Sequence, residues 1–275
     1  MTAAQARMLP DGRLHLQHGP MDLICQAWGD PHAVAAAYRR AAARFDGVLV
    51  ELVAELPALR LQKAALCGPI ARVMAGAVAP FWPAFITPMA AVAGAVAEAI
   101  LAVIAGDGIS RAYVNNGGDI AVHLADGETL TCAIAGTGAQ VQLRAISPSR
   151  GIATSGWRGR SWSLGIADSV TVLAKTAAMA DAAATMIANA VDLPGHPGIT
   201  RRAAVDLQAD SDLGRRLVTI GVAGLTDADI TRALNRGGAA ARVFMARGLI
   251  DSAALFLQSD RRILGAIALK EPAFA

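Results

Sequence analysis

Between residues 112 and 146 four short apolar runs, 112–114, 120–124, 129–134 and 141–146, are separated only by Gly117-Gly118, Asp126-Gly127 and the stretch from Gly136 to Gly138. Connections this short cannot contain the crossover that parallel neighbours need, so the segment predicts a meander of antiparallel strands. Residues 14–18 and 21–28, joined through Gly19-Pro20, predict an opening hairpin. Runs at 253–258 and 263–269 predict a closing one, turned at Ser259-Asp260. Residues 152–157 and 161–164 predict another hairpin, and 170–173 a further strand.

Helical patterns flank this centre. Asp30-Pro31 starts one that runs through residues 33–52 to a stop at Pro57, and a second follows Pro69. Thr87-Pro88 supplies a threonine cap and a first-turn proline for the apolar segment 89–105. Helices are also predicted over 176–191 and from 227 to about 247. Grouped helices, strands paired by short turns and little βαβ alternation predict an α+β fold, and no Pro/Ser-rich linker divides the chain. No G-x-G-x-x-G follows a strand, so a nucleotide would have to be held differently from the dinucleotide-binding fold.

Composition narrows the functions. Of 275 residues 54% are hydrophobic and only 4% aromatic, so alanine and glycine must make the helix contacts and few rings remain for stacking bases. A formal charge of +3 is spread over single and paired basic residues, which argues against a nucleic-acid partner and is compatible with a small phosphorylated ligand. Cys25, Cys67 and Cys132 have no C-x-x-C spacing and sit among apolar neighbours, so they are expected to be reduced core thiols. The first twenty residues lack the apolar core of a secretory signal, which predicts a cytoplasmic protein. Residues 89–105, interrupted by Glu98, are too few to span a bilayer and are expected to form a buried helix.

Three motifs carry chemistry. Asn115-Asn116-Gly117-Gly118-Asp119-Ile120 offers two glycines where a ligand can approach the backbone, although the same letters also suit a plain hairpin turn. Ala153-Thr154-Ser155-Gly156, followed by Arg158 and Arg160, brings two hydroxyls and two guanidinium groups together. That set suits phosphate oxygens, or the basic tip of a hairpin. On the helix 176–191, Asp181, Thr185 and Asn189 fall at i, i+4 and i+8, a polar stripe on an alanine-rich surface. A carboxylate and a hydroxyl one turn apart suit Mg²⁺ bridging phosphates, and equally suit capping or interhelix hydrogen bonds.

The order N-x-G-G-D-I, A-T-S-G, then V-T-V-x-A-x-x-A-x-x-A-D-A-x-A-T resembles the ApbE-like superfamily over residues 115–185, and the chain is most similar to a signal-less branch of it whose reaction is unassigned. The resemblance implies one domain over 1–275 built of two intertwined repeats, a duplicated T-fold-like arrangement with antiparallel sheets packed against helices. It implies FAD or a related nucleotide as cofactor, with Asn116, Gly117, Gly118, Asp119, Thr154, Ser155 and Gly156 lining the pocket. It also implies Mg²⁺ held by Asp181 and Thr185.

The sequence departs from the family's transferases in two places. The helix 89–98 aligns Gly94 with a family glycine but carries Ala93, Ala95 and Glu98 where they carry lysine, an aromatic and aspartate. In Gly165-Ile166-Ala167-Asp168-Ser169 a glycine stands where they have the histidine considered catalytic, so no general base carries over, and none of the five histidines here lies in a matching motif. Two functions follow as expectations: an enzyme acting at the phosphate of a bound nucleotide, or a binding or carrier protein on the same fold.

Overall fold

The computed structural model describes residues 3–133 and 140–267. The expected turn at 136–138, Ile134 and the end of the closing strand at 268–269 lie outside the described residues. The chain opens with strands β1 (Gln5–Met8), β2 (Leu14–His18) and β3 (Met21–Gly29). Helices α1 (Pro31–Asp46), α2 (Val48–Ala54), α3 (Leu56–Leu59), α4 (Pro69–Val78) and α5 (Val92–Ile104) follow. Then come β4 (Ile109–Asn116), β5 (Asp119–Leu124), β6 (Thr129–Ala133), β7 (Gln140–Arg144), β8 (Gly151–Ser155) and β9 (Ser169–Ala174), which leads into α6 (Ala177–Ala190). The remaining elements are β10 (Ile199–Ala203), α7 (Ala204–Leu207), β11 (Leu217–Val222), α8 (Asp227–Ala246), β12 (Ser252–Leu257) and β13 (Asp260–Leu264).

This is an α+β architecture centred on one nine-stranded antiparallel sheet in the order β1-β2-β3-β4-β5-β8-β9-β12-β13. Its two halves join at a short seam, where β5 and β8 pair only through Ile120 with Ile152 and Ala121 with Gly151. Alternation decides which side chains go to which face. Ala112, Val114, Ala121, Ala153, Val170 and Val172 join the helical core, whereas Ile120, Val122, Ile152 and Leu173 join a second core with Leu130, Cys132, Val141 and Leu143 of β6 and β7. Helices thus cover one face, and the separate β6–β7 hairpin covers part of the other. Strands covered on both faces lose the clean in-out pattern, as the burial of β8 and β9 shows.

Helix α6 is the axis of the helical layer. Its buried face is almost all alanine, including Ala177, Ala178, Ala180 and Ala184, so it can lie close to β8, β9, α5 and α8. At Gly94 the approach of α5 is closest: a β-carbon there would overlap the Ala177 carbonyl and lie 2.7 Å from the Ala178 nitrogen. Thr176 caps α6 by accepting from the Met179 amide at 3.2 Å. Glu98 of α5 accepts from the Ala178 amide at 2.7 Å, placing a carboxylate at the positive end of the helix.

Several expectations are corrected. The helix predicted over 33–52 is two helices, because the chain breaks at Gly47, and Pro57 begins α3 rather than ending a helix. Residues 161–164 are a loop, not a strand, and β8 pairs with β9 instead. The meander does not run on through one sheet, since β5 passes to β8 and leaves β6–β7 apart. Cys67 is exposed, while Cys25 and Cys132 are buried as expected. Strand β1 and the hairpin β10–β11 were not anticipated. Among the described residues no helix is long and apolar enough to cross a membrane.

Candidate functional site

At the end of the seam five elements meet. The β4–β5 turn places Gly117 at φ 65° and Gly118 at φ 116°, conformations that strongly favour glycine. The turn is braced from within, because the Gly118 amide donates to Asn115 Oδ1 at 2.8 Å. Asn116, 5% exposed, donates from Nδ2 to the Ala93 carbonyl at 3.1 Å and so ties the turn to the start of α5. A β-carbon on Gly118 would meet nothing within 4 Å. One on Gly117 would overlap the guanidinium of Arg160, whose Cζ lies 3.1 Å from that point.

Beneath the turn sit two carboxylates. Asp119, at the start of β5, accepts from the Thr154 amide at 3.2 Å, and Asp181 of α6 accepts from the Gly94 amide at 3.1 Å. Burial pushes the Asp119 carboxyl up to about 7, against the lowering influence of the Thr154 amide and of the Arg160 charge. Asp181 is raised well above the usual carboxylate range, first by burial and then by the negative charge of Asp119. The two acids are therefore near enough for the Asp119 charge to be felt at Asp181. Thr185, one turn further along α6, is half-buried.

The T-S-G segment divides between the two faces of the sheet. The Thr154 hydroxyl bonds Thr171 across the β8–β9 pair at 2.8 Å, on the face away from the helices, so Thr154 offers the acid pair its backbone amide rather than its side chain. Ser155 alternates onto the face shared by Ala153 and its partner Val170, toward the helical layer. Gly156 is packed backbone to backbone, 2.9 Å separating the site of its missing β-carbon from the Ala167 oxygen. Arg158, next in the loop, is engaged elsewhere, donating to Asp168 at 2.6 Å and lying over the Trp157 ring.

Asn189, the third member of the polar stripe, does not join the site. Its Oδ1 accepts from the Leu164 amide at 2.9 Å and from the Ser163 hydroxyl at 3.3 Å, fixing the loop that leads to Gly165. Arg201 of β10 holds the same loop, donating to the Leu164 carbonyl and pairing with Asp192. Glu98 likewise serves the α6 N-terminus. His123 faces the Ile109 carbonyl at 3.3 Å on β5. What sequence reasoning missed is the opposition of Asp119 and Asp181, two carboxylates 62 positions apart in the numbering that it had assigned to different ligands. It also missed the Gly94 amide as a partner of Asp181, for which the aligned glycine was the available signal.

The donor set fits Mg²⁺. Among the described residues there is no group of three or more His, Cys, Asp or Glu side chains that could hold a metal. A pair of carboxylates with a nearby hydroxyl is instead the sparse oxygen set of an ion completed by waters and ligand phosphates. An open concavity of about 670 Å³ lined by Asp227, Thr231, Arg232, Asn235 and Arg236 runs along α8 and is separate from this cluster.

A family model described as "AbpE bacteria" matches residues 6–268. The chain belongs to that family. The resemblance drawn from residues 115–185 thus extends over almost the whole sequence. Similar curated proteins include a UPF0280 protein of Methanococcus vannielii, 41% identical over 110 residues, which cover 37% of this chain and 44% of the relative. Another, from Methanothrix thermoacetophila, is 42% identical over 109 residues, covering 38% and 46%. The chain spans under half the length of these curated relatives. Among solved structures, the apo form of Pseudomonas stutzeri flavinyl transferase ApbE is 12% identical with a TM-score of 0.42, covering 96% of each chain.

Proposed function

We propose that the protein binds FAD or a related phosphorylated nucleotide together with Mg²⁺, in a single domain of two intertwined repeats that meet near the site, and acts at the ligand's phosphate as a transferase or hydrolase in the cytoplasm. In this reading Gly117, Gly118, Asn116, Asp119, Thr154, Ser155 and Gly156 line the nucleotide site, while Asp181 and Thr185 hold the metal. The observation that carries it is the pair Asp119 and Asp181 beneath a positive-φ glycine turn. Two opposed carboxylates in a partly buried setting cost stability unless they share a proton or a cation, and a divalent cation is chiefly useful where phosphate charge must also be offset.

Bound Mg²⁺ would supply charge neutralisation for a phosphate group. The chain's own groups do the rest: the Gly94 and Thr154 amides orient the two carboxylates, and the glycine turn leaves room above Gly118 for a ligand. Mass spectrometry of small molecules released from the purified protein, followed by calorimetry with FAD in the presence and absence of Mg²⁺, tests the reading. A released flavin nucleotide, or metal-dependent FAD binding, supports it. Purified protein that carries no nucleotide and binds none with Mg²⁺ removes it.

One observation favours a second reading, a carrier that binds without reacting. Gly165 has no side chain to accept a proton, and the space for one is filled. Incubation with FAD and Mg²⁺ separates the two, since cleavage to FMN and AMP marks an enzyme and recovery of intact FAD marks a carrier.

A further inference from the structure

The loop after β8 carries two arginines with different fates. Arg158 is committed to Asp168, which also accepts from the Trp157 indole at 3.1 Å and from the Gln258 amide at 2.5 Å, so it belongs to the loop's internal bracing. Arg160 is not committed. Among the described residues its guanidinium makes no hydrogen bond and no ion pair, although it is close enough to Asp119 to influence that carboxylate. The guanidinium lies directly over Gly117, in space that any side chain there would take.

The site beneath presents a charge problem. Two facing carboxylates repel an anion, and one divalent ion only balances them. A phosphorylated ligand then needs a further positive charge. Arginine supplies a planar fork of donors matched to phosphate oxygens.

We propose that Arg160 is the residue that recognises the ligand's phosphate at this site, its unpaired guanidinium poised over the Gly117 turn while Arg158 has only a structural part. This rests on the nucleotide-binding reading above and adds to it the residue that selects phosphorylated over unphosphorylated ligands. Because Arg160 is exposed and its guanidinium has no hydrogen-bond or ion-pair partner among the described residues, its removal should leave the fold intact.

The test compares wild type, Arg160→Gln, Arg160→Lys and Arg158→Gln by calorimetry with FAD, ADP and riboflavin in Mg²⁺, alongside their melting temperatures. Wild type should bind FAD more tightly than riboflavin. Arg160→Gln should weaken FAD and ADP roughly 10- to 100-fold, the loss expected for a charge-assisted contact, with riboflavin affinity and melting temperature unchanged. Arg160→Lys should recover part of the loss, and Arg158→Gln should keep the FAD-to-riboflavin ratio of wild type. A wild-type preference for FAD that survives Arg160→Gln overturns this inference and leaves the nucleotide reading standing. Wild type that binds neither FAD nor ADP overturns both.

Discussion

The carbonyl oxygen of Ala188, in the last turn of α6, occupies the space that a side chain on Gly165 would need. The Val191 oxygen and the Asn189 α-carbon stand 2.8 and 2.9 Å from the same point. The position that the resemblance aligns with the transferases' histidine therefore has no room for a side chain. The 163–165 loop packs against the helix end, held there by Asn189 and Arg201.

Placing a histidine at this position should fail for that reason. Gly165→His has to move backbone rather than a flexible side chain, an overpacking cost of about 3 kcal/mol or more. In a chain of this size that lowers the melting temperature by roughly 6–12 °C. Neither wild type nor the variant should label a threonine- or serine-containing acceptor peptide when incubated with FAD and Mg²⁺ and inspected for covalent fluorescence in a gel. Robust labelling by wild type would show that another group serves as the base. A stable Gly165→His protein would show that the loop is looser than its packing indicates.

The acid pair predicts how the metal binds. Asp181→Ala removes one carboxylate and should reduce Mg²⁺ affinity at least ~10-fold, and Asp119→Asn should do the same if both carboxylates address one ion. Without Mg²⁺ and above about pH 7, Asp119→Asn should raise the melting temperature, because it removes a buried negative charge beside Asp181 and keeps an acceptor for the Thr154 amide, whereas Asp181→Ala leaves the Gly94 amide without its acceptor and should lower it. Calorimetry and thermal melts in EDTA report the two effects separately. If Asp181→Ala leaves Mg²⁺ binding unchanged, the ion is held elsewhere.

Much of the fold was legible because its elements carry local signals. The cap and proline at Thr87-Pro88, the Gly19-Pro20 turn and the alanine-rich 176–191 segment each announce one element. The strand misread at 161–164 is different. Its serine, tryptophan and leucine fit a strand pattern, but Asn189 and Arg201 satisfy its backbone from 25 and 37 residues away, and no local rule reports that. The site was legible in its letters and not in its geometry. Adjacent hydroxyls at Thr154 and Ser155 read as a pair, yet strand alternation sends them to opposite faces, and the facing of Asp119 and Asp181 depends on α5 wedging Gly94 against α6.

Stability should depend on pH in a direction opposite to ordinary acid denaturation over part of the range. Asp119 rises from 3.8 to about 7 in the folded protein, and Asp181 is displaced the same way, chiefly by burial. Between those values the native state holds more protons than the unfolded chain, so these groups stabilise the fold below 3.8 and lose that contribution as pH rises through about 7. In EDTA, the contribution of Asp119 should make the melting temperature fall between about pH 4 and pH 7, and Asp119→Asn should flatten the decline. Saturating Mg²⁺ should flatten it too, because the ion prefers both carboxylates ionised. A metal-free profile identical in wild type and Asp119→Asn would mean that the carboxylate is solvated enough to titrate normally.

The glycine turn offers the sharpest separation of a binding role from a structural one. Gly117 and Gly118 both have positive φ, but a side chain at 117 displaces Arg160 whereas one at 118 enters open space. Gly118→Val should therefore lower stability through backbone strain alone, about 1–3 kcal/mol, without a clash inside the protein. Its branched side chain would project into the space where a ligand has to approach, so FAD affinity of the folded fraction should be lost. Gly118→Ala carries a similar backbone penalty with less bulk and should lose less affinity for a comparable loss of stability. Melting temperature and calorimetry on the two variants resolve the matter: affinity that tracks side-chain size places a ligand above Gly118, and affinity unchanged in both assigns the glycine to the turn.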